Sequence, residues 1–156
     1  MNSISRFALE LHEGPYEKWP LRSRLFLDGK PTGLSLPGYD LLYQFETSDG
    51  YVLVTDYDCP FEEITNFILV SKRLRLQSCR WLGWMYESFY LQRIEWVDER
   101  TFIAIIYHEH RYRFTVRSWW IPYIRPRLKM KYPGKSACED HEKAKEEESG
   151  RTSRST

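Results

Sequence analysis

The chain has 156 residues, the length of one domain, and its 23 Lys and Arg almost cancel 22 Asp and Glu, leaving a formal charge of +1. That balance excludes a histone-like or strongly acidic protein, and 6 Trp, 11 Tyr and 8 Phe exclude a chain that is disordered throughout. A body of this size buries roughly two thirds of its unfolded surface, enough for one core.

Most of the chain reads at period two. In Ser5 to His12, Phe7, Leu9 and Leu11 alternate with Arg6, Ala8, Glu10 and His12, which predicts a strand with one buried face. Arg22 to Leu27 predicts a second strand that stops at Asp28-Gly29, and the Pro31, Gly33, Pro37 and Gly38 stretch reads as a loop. Asp40 to Thr47 and Tyr51 to Tyr57 flank Ser48-Asp49-Gly50, a hairpin with the composition of a primed turn. Asp58-Cys59-Pro60-Phe61-Glu62-Glu63 carries capping residues, an early proline and acids for the positive helix end, predicting one short helix over 60–66. Phe67 to Val70 and Arg73 to Cys79 return to strand. Ser88 to Val97, Thr101 to Tyr107 and Tyr112 to Arg117 then form an up-and-down run with short polar turns. Pro122 and Pro126 limit the 124–132 stretch to an edge strand.

After Pro133-Gly134 the composition changes: no aromatic or large aliphatic residue occurs from Ser136 to the end. The expected organisation is a β-rich domain over 1–134 and a charged, disordered tail over 135–156. The expected fold is mainly β, a single antiparallel domain with a curled sheet, barrel-like or sandwich-like, and one short helix. The first eleven residues lack a signal-type apolar run, and the longest apolar stretch, Phe102 to Tyr107, is far short of the ~18 residues a spanning helix needs. Cys59, Cys79 and Cys138 are odd in number and widely spaced, which argues for reduced thiols rather than a disulfide framework or zinc site. Together these point to a soluble, cytoplasmic protein without a membrane partner.

Charge along the chain is segregated. Between Pro31 and Ser71 there are seven acids (Asp40, Glu46, Asp49, Asp56, Asp58, Glu62 and Glu63) and no base. Between Arg111 and Cys138 there are eight bases and no acid. Either the two stretches neutralise one another across a solvated surface, or they form opposed faces, one of which meets a charged partner. The basic stretch mixes Arg113, Arg117, Arg125 and Arg127 with Trp119 and Trp120. Those residue types anchor protein interfaces and also bind single-stranded nucleic acid, by pairing with phosphates and stacking on bases. The near-neutral total favours a protein partner. Asp56, Asp58, Glu62 and Glu63 form the alternative, acidic docking stretch.

Signals for chemistry are weak. Asp56 and Asp58 share a strand face without an EF-hand pattern, and alternate His108 and His110 are too few for zinc on their own. Cys59 at a helix start lacks an identifiable base. There is no Gly-rich phosphate loop, Gly-x-Ser-x-Gly or His-Glu-x-x-His. The expectation is a non-enzymatic protein-binding module with no cofactor and no metal. Its profile is similar to that of bacterial immunity proteins, which neutralise toxin domains by covering them. A nucleic-acid-binding β module using residues 111–132 is the second reading, and a small-ligand carrier or enzyme the third.

Overall fold

Tyr51-Val52-Leu53-Val54 and Phe67-Ile68-Leu69-Val70 are apolar at every position, and a strand of that kind needs a covering layer on each side. The computed structural model, which describes residues 1–57, 64–83, 90–106, 110–119, 121 and 126–132, supplies both layers. In chain order the strands are β1 (Asn2–Ser3), β2 (Phe7–Leu9), β3 (Arg22–Leu27), β4 (Lys30–Pro37), β5 (Asp40–Thr47) and β6 (Gly50–Asp56). They continue with β7 (Thr65–Val70), β8 (Leu76–Leu82), β9 (Leu91–Asp98), β10 (Thr101–Ile106), β11 (His110–Val116) and β12 (Leu128–Lys131). A five-stranded sheet, β1-β5-β6-β7-β8, lies between a three-stranded sheet, β2-β3-β4, and a four-stranded sheet, β12-β11-β10-β9. The strand ladders within them are antiparallel. The mainly β, antiparallel expectation holds. The sheets are separate and none closes into a barrel among the described residues.

Alternation along the central strands divides the apolar residues between two cores. Val52, Val54, Phe67 and Leu69 meet Phe102, Ala104, Ile106, Phe114, Val116 and Leu128 of the four-stranded sheet. Tyr51, Leu53, Ile68 and Val70 meet Phe7, Leu25 and Leu36 of the three-stranded sheet. Each fully buried large side chain is worth roughly 1.5–3 kcal/mol relative to exposure. Rings add specificity to the first core: Phe67 and Phe102 lie 4.2 and 4.9 Å from Phe114, and Trp96 bridges to Phe45 at 5.3 Å. Leu41 and Tyr43, two residues apart, serve different cores because a register shift between them turns the strand over.

Several local expectations are corrected. The predicted helix over 60–66 cannot include Thr65 and Asn66, which begin β7 and are buried in its ladder between β6 and β8. Residues 58–63 lie outside the described residues. The helical turn found among those described is Tyr16–Lys18. The loop predicted around Pro31 and Pro37 is strand β4. Both prolines are tolerated there because β4 is an edge strand, where a missing donor need not break a ladder. Positive φ at both Asp28 (49°) and Gly29 (75°) makes that pair the primed turn. The β5–β6 hairpin forms as predicted, but Ser48 and Asp49 turn it without positive φ. Gly50 is required for a different reason: a Cβ there would collide with the carbonyl oxygen of Val70 on the adjacent strand β7. The strand predicted from Arg73 begins only at Leu76, because 71–75 form a turn. The predicted tail, 135–156, lies outside the described residues.

Candidate binding faces

Inward Phe102, Ala104 and Ile106 put Thr101, Ile103 and Ile105 of β10 on the other side of the sheet, where Thr101 and Ile103 are half-buried and Ile105 is fully buried. Register then fixes their neighbours. Arg113 lies opposite Ile103 and Lys131 opposite Arg113; Thr115 lies between Thr101 and Lys129; Arg111 lies opposite Ile105. On the other side β9 places Glu95 and Arg93 beside Ile103 and Ile105. One sheet face therefore carries Arg93, Arg111, Arg113, Lys129 and Lys131 around a threonine and isoleucine floor. It also carries two acids: Glu95, bound by Arg93 at 2.8 Å, and Asp98, opposite Thr101, whose carboxyl is lowered mainly by the Arg100 amide and in part by Arg113. Arg113, Lys129 and Lys131 make no ion pair among the described residues. Like charges directly opposite on neighbouring strands, as in Arg113 and Lys131, are unfavourable, so an anion bound between them relieves a cost already present.

Tyr112, the ring between Arg111 and Arg113 in sequence, is separated from them in space. It has the opposite parity to Arg111 and Arg113 and packs against the core beside Met130 and Trp96. Its ring lies 5.0 Å from that of Tyr132, which also receives His110 at 6.4 Å. Trp119, beyond the end of β11, is 58% exposed.

The other predicted site residues are distributed as follows. Arg117 continues from β11, donates its backbone N–H to the Arg127 carbonyl at 2.8 Å and reaches the Pro126 carbonyl at 3.5 Å. Arg127 turns inward and pairs with Asp49 at 2.8 Å, both side chains about 15% exposed or less. Arg100 holds the second oxygen of the same carboxylate at 3.1 Å. Glu46 is taken by Lys72, which keeps its carboxyl below the ordinary range through that hydrogen bond. Asp56 sits at the end of β6 opposite Asp40, its carbonyl accepting the Tyr39 amide at 2.6 Å. Trp120, Arg125, Asp58, Glu62 and Glu63 lie outside the described residues. The acidic and basic stretches thus neutralise one another at Asp49, while the bases of β11 and β12 stay outward. Lys129 and Lys131 belong to that face although only their period-two spacing, Arg111-x-Arg113 and Lys129-x-Lys131, marks them in the sequence.

A second cluster, not foreseen from sequence, gathers His12, Tyr16, Trp19 and Tyr57 around Tyr39, with ring centroids 5.1–5.6 Å from it. Within it, fully buried Ser23 donates to the Gly38 carbonyl at 2.7 Å and lies 2.9 Å from His12 Nε2. The serine proton is already committed to Gly38, so His12 Nε2 must donate to Ser23 Oγ rather than take its proton. The pair braces the segment and does not activate a nucleophile. Desolvation pushes the Cys79 thiol up, away from thiolate chemistry. Among the described residues no three His, Cys, Asp or Glu gather where they could share a metal ion, and no helix is long and apolar enough to cross a membrane. Compared with known protein families, with characterised proteins and with solved structures, the chain finds no match, so its own surfaces carry the functional reading.

Proposed function

We propose that the chain is a non-enzymatic protein-binding module whose outward β10–β11–β12 face meets an acidic protein surface. The observation that carries this reading is the parity of β11, which turns Arg111 and Arg113 outward and Tyr112 inward. A cationic face with an aliphatic floor suits carboxylates on a partner, whose burial is offset by guanidinium forks. Single-stranded nucleic acid is supported less well, because stacking needs rings beside the cations and Tyr112 lies on the other side of the sheet. The reading includes a cytoplasmic location, which the odd number and spacing of the cysteines support.

The test is the double charge reversal Arg113→Glu with Lys131→Glu. Both residues are exposed, so the melting midpoint should stay within a few degrees of the parent. The parent should recover a stoichiometric acidic protein from native cells, with affinity that falls as salt rises past ~0.15 M, and the variant should lose it. Equal capture by the two proteins sinks this face. RNA or DNA that copurifies stoichiometrically and survives moderate salt replaces the protein reading with the nucleic-acid one.

A further inference from the structure

The β7–β8 connection holds a separate arrangement, on a different element from the cationic face. Ser71 closes the turn by donating its amide to the Arg75 carbonyl and accepting the Leu74 amide on its own carbonyl, both at 2.9 Å. Its hydroxyl oxygen accepts the Arg75 amide at 3.1 Å. Leu74 adopts φ 54°, a left-handed conformation that is unfavourable for a branched side chain and is offset here by packing against the core under Tyr51 and Val70. With Leu74 turned inward, Lys72, Arg73 and Arg75 are exposed at the surface.

These residues border a cleft of about 450 Å³ between Asp49 and the 71–77 segment. Asp49 cannot neutralise them, because Arg100 and Arg127 already occupy its two oxygens. Lys72 pairs with Glu46 and lies 4.6 Å above the Tyr51 ring. Arg73 and Arg75 have no ion pair among the described residues. Gln77 also lines the cleft. Leu76, 43% exposed, supplies an apolar wall.

We propose that this cleft binds a phosphate monoester carried on an organic body. Two unpaired guanidiniums match a group of charge about −1.5 to −2 better than a single carboxylate, and their forks match its oxygens. Leu76 and the arginine stems cover the remainder of the body.

The probes are a nucleoside monophosphate, its parent nucleoside, inorganic phosphate, and a phosphoserine peptide with its unphosphorylated form, titrated into the full chain by two-dimensional amide NMR. The phosphorylated probes should shift the amides of 71–77 saturably, and the nucleoside and unmodified peptide should not. Arg73→Ala and Arg75→Ala should each weaken binding about tenfold. Tighter binding of the nucleotide assigns a free small molecule as the source, and tighter binding of the phosphopeptide a modified protein. The Arg113→Glu, Lys131→Glu variant should bind these probes like the parent. No saturable shift at millimolar probe, or shifts that persist in the Arg73→Ala, Arg75→Ala double variant, overturns the proposal.

Discussion

The two outer sheets cover opposite faces of the same central sheet, yet they treat their own outward charges differently. On the three-stranded layer Arg6 is held by Asp28, Arg24 lies 3.8 Å from Glu10, and Arg22 donates to the Ser35 carbonyl at 3.2 Å. On the four-stranded layer Arg113, Lys129 and Lys131 face outward without a direct ion pair among the described residues, although Glu95 and Asp98 share the face. Exposed ion pairs contribute little to stability, so the pairing does not make the first layer much stronger. What it does is leave that surface electrically quiet. The second layer keeps bases that its own acids, Glu95 and Asp98, offset only in part, and for that reason the proposed partner is placed there.

The comparison is tested most severely through the cores that both layers share with the centre. Phe114→Ala removes a ring stacked on Phe67 and Phe102 and should cost about 3–5 kcal/mol, while Leu25→Ala on the other side should cost about 2–5 kcal/mol. Denaturant melts read both. If Leu25→Ala is the milder of the two but still unfolds the protein in one step, the layers form a single cooperative unit. If it melts only the three-stranded sheet, they do not.

A middle-sized effect comes from the one place where the acidic hairpin reaches the four-stranded layer. Asp49→Ala leaves the shielded Arg127 guanidinium without its acid, and Arg127 Nε is already without a hydrogen-bond partner. Equilibrium unfolding should show a loss of about 2–3 kcal/mol, short of the ~3–5 kcal/mol of a fully buried pair because some water reaches both groups. A loss below ~0.5 kcal/mol would mean that the contact is an ordinary surface pair.

The smallest effect is the pH dependence, and it separates paired from unpaired charges directly. Hydrogen bonding from Arg6 lowers the Asp28 carboxyl, and the Arg100 amide does the same for Asp98. A carboxyl with a lower pKa folded than unfolded contributes stability above its unfolded pKa and loses it as pH falls through the folded one. The melting midpoint should therefore hold near neutrality and fall as pH drops through and below ~4. Arg6→Ala should flatten part of that fall. Lys131→Ala, on the unpaired face, should leave its shape unchanged.

How much of this could be read from the sequence depended on how far apart the cooperating residues lie. The β5–β6 hairpin and the β9–β10–β11 run are local, and alternation with polar turns marks them. β4 was obscured because Pro31, Gly33 and Pro37 carry the composition of a loop, and nothing local reveals that the strand will sit at an edge. Thr65 and Asn66 followed a convincing helix start, but their burial between two strands overrides it. Arg113 was visible as a candidate because it lies in a basic run. Its opposition to Lys131 was not, since eighteen positions separate them and only the β11–β12 register brings them together. Asp49 and Arg127 are 78 residues apart, and no pattern in either segment predicts their meeting. The cleft at 71–77 depends on a left-handed leucine, which propensity argues against.

The doubly covered pair β6 and β7 has a consequence for how the protein is made. Synthesis runs from the N-terminus, so the strands that shield Leu53 and Ile68 are complete before those residues emerge. The strands that shield Val52, Val54, Phe67 and Leu69 are not finished until Lys131, about 60 residues later, or roughly 3–12 s at ~5–20 residues per second. For that interval one side of the growing sheet is a row of bare β-branched and aromatic side chains beside an open edge, the kind of surface that invites aggregation or a holding chaperone. The half of the protein that carries the proposed partner face is also the half whose late arrival ends that exposure.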